Sequence, residues 1–170
     1  PDTPLSFKRS NTRFGYSSIR NLHLNHLSKL KNVDKLLELI NLTTLKVSNV
    51  SAKCVIPNLS KLRKLTTLSL NGSFGDISFL SGCKSLKKLT IMFESDHSKL
   101  NALEDLTELQ ELEINSGFLH KDLSSLLKLK QLKSLRVRAG ASEDNKVIKE
   151  LEKRGVRVIL GNRHFLRINL

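Results

Sequence analysis

The sequence predicts an α/β repeat solenoid: a curved, parallel β-sheet whose strands are joined by helical or loop crossovers on the convex side. Three observations carry that expectation. The pattern L-x-x-L-x-L, with Ile and Val allowed, recurs at 19/22/24, 42/45/47, 65/68/70, 86/89/91, 109/112/114 and 132/135/137. Successive units are 23, 23, 21, 23 and 23 residues apart, and one further step of 23 reaches Gly155, with Val158 and Leu160 completing a seventh, degenerate unit. The residues between these columns are not kept. "NLSKLRKLTTLSLNGS" (58–73) and "SLLKLKQLKSLRVRAG" (125–140) share their leucine spacing and little else.

Strand side chains alternate between faces, so L-x-L turns both apolar residues inward and the middle one outward. A parallel neighbour strand requires a crossover of a dozen or so residues, and the remainder of each unit supplies it. A single unit cannot bury its own leucines, whereas stacked units form a continuous core. Packing therefore constrains the leucine columns and leaves the intervening residues free to vary.

The crossovers differ in character. "KLKNVDKLLELI" (29–40) places Leu30, Val33, Leu36, Leu37 and Ile40 at helical spacing. The middle crossovers carry Pro57, Gly72, Gly75 and Gly82 and are expected to be loops with a short helical turn. "SEDNKVIKELEKRG" (142–155) is expected to form a full helix, with acidic residues early, Lys and Arg late, and Gly155 as its stop. Residues 1–18, polar and basic without periodicity, form an N-terminal arm or cap. Residues 19–160 form the repeat domain. Residues 161–170, with Phe165, Leu166, Ile168 and Leu170, form a C-terminal cap or tail.

This spacing resembles the leucine-rich repeat family over roughly Ile19 to Leu160, and "GDISFLSGCKSLKKLTI" (75–91) is similar to its short SDS22-like or internalin-like subclass. The sequence departs from the family at one column. Family members usually carry Asn or Cys three residues after the last strand leucine. Here that column reads Leu27, Val50, Ser73, Glu94, Gly117 and Gly140, so there is no asparagine ladder. The resemblance implies a protein partner more often than any other ligand.

The chain has 170 residues, a net charge of +13, a pI near 10.0, and a 39% apolar fraction, which suits one folded domain. So basic a surface should be drawn to acidic proteins or polyanions. No apolar run approaches the length of a membrane span. Two cysteines, Cys54 and Cys83, are too few for a disulfide framework and make an intracellular setting the default. The four N-x-S/T sequons, at Asn41, Asn49, Asn58 and Asn71, would matter only in a secretory compartment.

The outward strand positions should form one largely polar face. Its candidate partner contacts are Lys46, Lys88, Thr90, Met92, Glu111, Glu113, Arg136, Arg138 and Arg157. Met92 is an adaptable side chain on a polar face. Glu113 should lie beside Arg136 of the next strand. Arg136, Arg138 and Arg157 cluster at the C-terminal end, where an acidic peptide or phosphate could be received. Further positive charge belongs to the rim at the strand starts, in Lys61, Arg63, Lys64, Lys84, Lys87, Lys128, Lys130 and Lys133. The fifth unit interrupts that rim with Glu104, Asp105, Glu108, Glu111 and Glu113.

No phosphate-binding glycine loop is present, and the five histidines fall in no register with a nucleophile and an acid. The expectation is a non-enzymatic protein–protein interaction module without cofactor or metal, either as a subunit of an assembly or as the recognition part of a longer protein. The alternative is a basic RNA-binding subunit using its Lys/Arg rims. Acids in the middle of the stripe and few aromatic residues rank that reading second.

Overall fold

The structure, a computed structural model, describes residues 3–4, 16–25, 30–31, 33–50, 55–73, 76–93, 100–115, 122–137 and 145–161. Each L-x-L segment is a strand, and the seven strands form one open, wholly parallel sheet in chain order. They are β2 (Asn21–Asn25), β4 (Thr44–Val50), β5 (Thr67–Gly72), β6 (Lys88–Phe93), β7 (Glu111–Asn115), β8 (Ser134–Val137) and β9 (Arg157–Leu160). Register is uniform. Leu22, Leu45, Leu68, Leu89, Leu112, Leu135 and Val158 are successive partners across the sheet. The fold is thus an α/β repeat solenoid, as the periodicity predicts.

The crossovers explain why each unit spaces its leucines by three before spacing them by two. Short 3-10 helices span Val33–Glu38, Leu59–Lys61, Ser78–Leu80, Leu100–Asp105 and Ser124–Lys128. A 3-10 turn has three residues, so side chains at i and i+3 eclipse and point the same way. The backbone follows this step past the helix ends: the Leu62 N–H donates to Leu59 O and the Leu65 N–H to Leu62 O, both at 2.9 Å. The same i→i+3 bonds recur at Cys83 and Leu86, at Leu106 and Leu109, and at Leu126, Leu129 and Leu132. All of these side chains are buried, and together with the strand leucines they make one continuous core. Burying a leucine contributes about 1.5–3 kcal/mol.

One expected crossover is corrected by this geometry. The helical spacing of 30/33/36/37/40 would bury Ile40, but Ile40 is 58% exposed. The buried set is Val33, Leu36, Leu39 and Leu42, a strict period of three, and the segment is 3-10 rather than α-helical. Only the last described crossover is α-helical: α1 (Lys146–Lys153) buries Ile148 and Leu151. Its N-terminus is capped by Asn145, whose side chain accepts from the Val147 N–H at 2.9 Å. Gly155, at φ +85°, ends it.

Successive units are tied to one another without an asparagine ladder. Residues at the strand starts are joined by backbone bonds: the N–H of Thr43 donates to Arg20 O, Thr66 to Thr43 O, Lys87 to Thr66 O, Gln110 to Lys87 O, Lys133 to Gln110 O and Arg157 to Lys133 O, all at 2.7–3.0 Å. Side chains add further ties between neighbouring units. Asn58 Nδ2 donates to Ser81 O at 3.2 Å, and the Gly82 N–H donates to Asp105 Oδ2 at 3.1 Å. Where the family's asparagine would stand in the second unit, β4 instead carries an irregularity between Val47 and Val50, with Asn49 at φ 55°. Gly72 sits directly against it. A Cβ there would lie 2.5 Å from Val50 N and O, and its φ is +139°.

Part of the N-terminal arm also pairs. β1 (Thr3–Pro4) lies parallel to β3 (Leu30–Lys31) in a separate two-stranded sheet. Most of residues 1–18 and nearly all of the tail at 161–170 lie outside the described residues, as does Cys54.

Candidate functional site

The inward columns are occupied by the core, so chemistry facing a partner falls to the outward columns and the rims. On the outward face an open recess of about 130 Å³ crosses β6, β7 and β8. It is lined by Lys88, Thr90, Glu111, Glu113, Ser134 and Arg136, with Leu89 and Leu112 of the same strands completing it. Sheet register assembles it. Lys88, Glu111 and Ser134 are successive partners in one row, and Thr90, Glu113 and Arg136 in the next. Strands lie about 4.8 Å apart and like-facing residues roughly 7 Å apart along a strand. Two cations thus flank two carboxylates within a patch a single peptide side-chain cluster could cover.

Lys88 Nζ and Glu111 Oε2 are 2.6 Å apart across β6 and β7, with both side chains about half exposed. Such a pair adds only about 0–1 kcal/mol to stability. Its effect is to hold the ammonium and carboxylate in place at the recess wall. Glu113 and Arg136 are register partners, as the sequence spacing predicts.

Five of the residues singled out from sequence, Lys88, Thr90, Glu111, Glu113 and Arg136, come together here. The others do not. Lys46 is exposed on β4, between His23 and Ser69 and two strands away from β6. Met92 is half-buried on β6, between Asn71 and Asn115, and does not line the recess. Arg157 is exposed on β9 beside Ser134. Arg138 lies outside the described residues. Two features escaped the sequence reading. Ser134 completes the recess, and Lys88 pairs with Glu111. Both follow from the 23-residue register, which places positions 88, 111 and 134 in one row.

The remaining titratable chemistry is structural. Cys83 is a buried free cysteine, its thiol pushed up to about 11 by desolvation and then by the nearby Asp105 carboxylate. Asp76 and Asp122 each accept from the backbone N–H and hydroxyl of the serine two residues on, which holds both carboxyls below their ordinary range. These Asx turns start the 3-10 segments at Ser78 and Ser124. Among the described residues, no group of three or more His, Cys, Asp or Glu is placed to hold a metal ion, and no helix is long and apolar enough to cross a membrane.

Comparison with solved structures agrees with this architecture. The chain superposes on an internalin (inlF) from Listeria monocytogenes with a TM-score of 0.63 and 25% sequence identity, covering 84% of this chain and 41% of that one. The chain has a leucine-rich-repeat fold. It spans about two fifths of the internalin's length. No family model matches the sequence, and no curated protein matches it.

Proposed function

We propose that this leucine-rich-repeat chain is a non-enzymatic interaction module that docks a protein partner on the outward face of its sheet, centred on the recess between β6 and β8. The observation that carries this reading is the assembly of Lys88, Glu111, Glu113 and Arg136 into one charged patch over a fully packed leucine core. The paired strands fix the backbone that carries these side chains before a partner binds, so affinity is not spent on ordering it. The internalin likeness supports a binding scaffold in general terms. The mixed signs favour a protein surface, since a phosphate backbone would meet Glu111 and Glu113 in the middle of the patch.

The test is affinity capture from native lysate, with and without nuclease, using the wild-type chain beside Thr90→Arg and Arg136→Glu. Thr90 sits within the recess, so a long side chain there fills it without entering the core. A discrete protein that survives nuclease and is lost with both variants supports the reading. Recovery that collapses with nuclease overturns it in favour of nucleic acid.

A further inference from the structure

The rim at the strand starts carries a second, independent pattern that specifies what kind of partner fits. In the third unit it presents Arg63 and Lys64, and in the fourth Lys84 and Lys87 beside Lys88. In the sixth it presents Lys130 and Lys133, and in the seventh Lys153 and Arg154 beside Arg157. Every one of these residues is exposed. The fifth unit, between the two groups, has Thr107 where its neighbours have Lys84 and Lys130, and Glu108 where they have Ser85 and Gln131.

Some of these charges are already neutralised. Arg154 faces Glu150 at 3.4 Å and Lys88 holds Glu111, whereas Lys64 keeps its charge and only donates to the neutral amide oxygen of Asn41 at 2.7 Å. Arg63, Lys64, Lys84, Lys87, Lys130, Lys133, Lys153 and Arg157 make no ion pair among the described residues, and neither does Glu108. The rim therefore offers solvent two cationic clusters with the fifth unit's exposed carboxylates, Glu104, Asp105 and Glu108, between them. With strands about 4.8 Å apart, the cluster centres are roughly 14 Å apart and Glu108 stands about 7 Å from each.

These lengths matter because the Debye length is about 8 Å at physiological salt. At about that distance an approaching partner first meets the net positive charge of the rim, which steers an acidic surface inward. At contact the alternation is unscreened, and a uniformly anionic strand meets repulsion at its middle. We infer that the strand-start rim is the docking site of an acidic protein segment that carries two carboxylate clusters with a basic residue between them. The inference rests on the interaction-module reading and names the chemistry of its partner.

Three probes decide it, titrated onto the intact chain at physiological salt and followed by backbone amide shifts of rim residues. They are the peptide Glu-Glu-Gly-Lys-Gly-Glu-Glu, its uniformly acidic counterpart with Glu at the centre, and a ten-nucleotide single-stranded RNA. The lysine-centred peptide should bind the wild-type chain about threefold more tightly than the uniform one despite its smaller negative charge, the fold-change of one exposed ion pair. Glu108→Lys, in an exposed turn, should keep its circular dichroism and invert that order. The inference is overturned if the uniform peptide or the RNA binds the wild-type chain best, if neither peptide binds, or if Glu108→Lys leaves the order unchanged. Capture of a protein partner that is indifferent to Glu108→Lys sinks the rim inference alone, whereas capture that vanishes with nuclease sinks the interaction-module reading beneath it.

Discussion

Leu68 and Ser69 are neighbours on β5, yet they answer to different rules. Leu68 lies in an inward column occupied by leucine or valine in every unit, and it is wholly buried. Ser69 lies in an outward column that reads His23, Lys46, Ser69, Thr90, Glu113, Arg136 and Ile159 along the sheet. One backbone period runs through both faces. Only the inward face is held to it by packing, because a void or an extra methylene in a close-packed core is felt at once. The outward face carries whatever recognition requires.

The largest test of this contrast sets Leu89→Ala against Thr90→Ala. The first should cost about 2–5 kcal/mol in denaturant unfolding, and the second no more than about 0.5 kcal/mol. Comparable losses would mean that the outward face also holds the fold together. Next comes Gly72→Ala, where a Cβ collides with the Val50 backbone at a positive φ. It should cost about 1–3 kcal/mol, more than any outward substitution on β5. A neutral result would show that the β4 irregularity yields easily.

Cys83 gives a smaller, pH-resolved effect. Its folded value is raised from 9.0 to about 11. The neutral thiol therefore contributes stability that is complete below pH 9 and lost as pH rises through 11. The wild-type unfolding midpoint should decline across that window while that of Cys83→Ala stays flat, and the folded thiol should resist alkylation at pH 8. Asp76 and Asp122 act in the opposite direction. Their lowered values add stability above the ordinary carboxylate range, and this is lost as pH falls through their folded values. Asp122→Asn should flatten that acid limb only slightly, because the group is exposed. Smallest of all, Lys88→Ala should change stability by less than about 1 kcal/mol while weakening partner capture. A large stability loss would recast the recess as structural.

Much of this was legible in the chain. The strands, their parallel order and their register follow from L-x-L at a constant period, because alternation and stacking leave one way to bury every leucine. The recess was legible in part. Five of its polar residues could be placed in neighbouring rows from the 23-residue step alone, while Ser134, a small polar residue in a column of small polar residues, carried no signal. The segment at 29–40 misled for a clear reason. Over twelve residues, periods of 3 and 3.6 share most of their apolar positions, and only the exposure of Ile40 separates them.

The sequence by itself determined the core, since the hydrophobic effect acts on side-chain identity and the leucines state their spacing outright. Tertiary structure alone decided how the turns are tied, which outward residues meet, and which rim charges remain open to a partner. The ties are backbone hydrogen bonds at the strand starts, and every residue but proline carries the same donor and acceptor there, so no letter of the sequence records them. The open charges depend on which cations neighbouring units have already neutralised, as Glu111 does for Lys88. That is a property of residues 23 positions apart brought side by side.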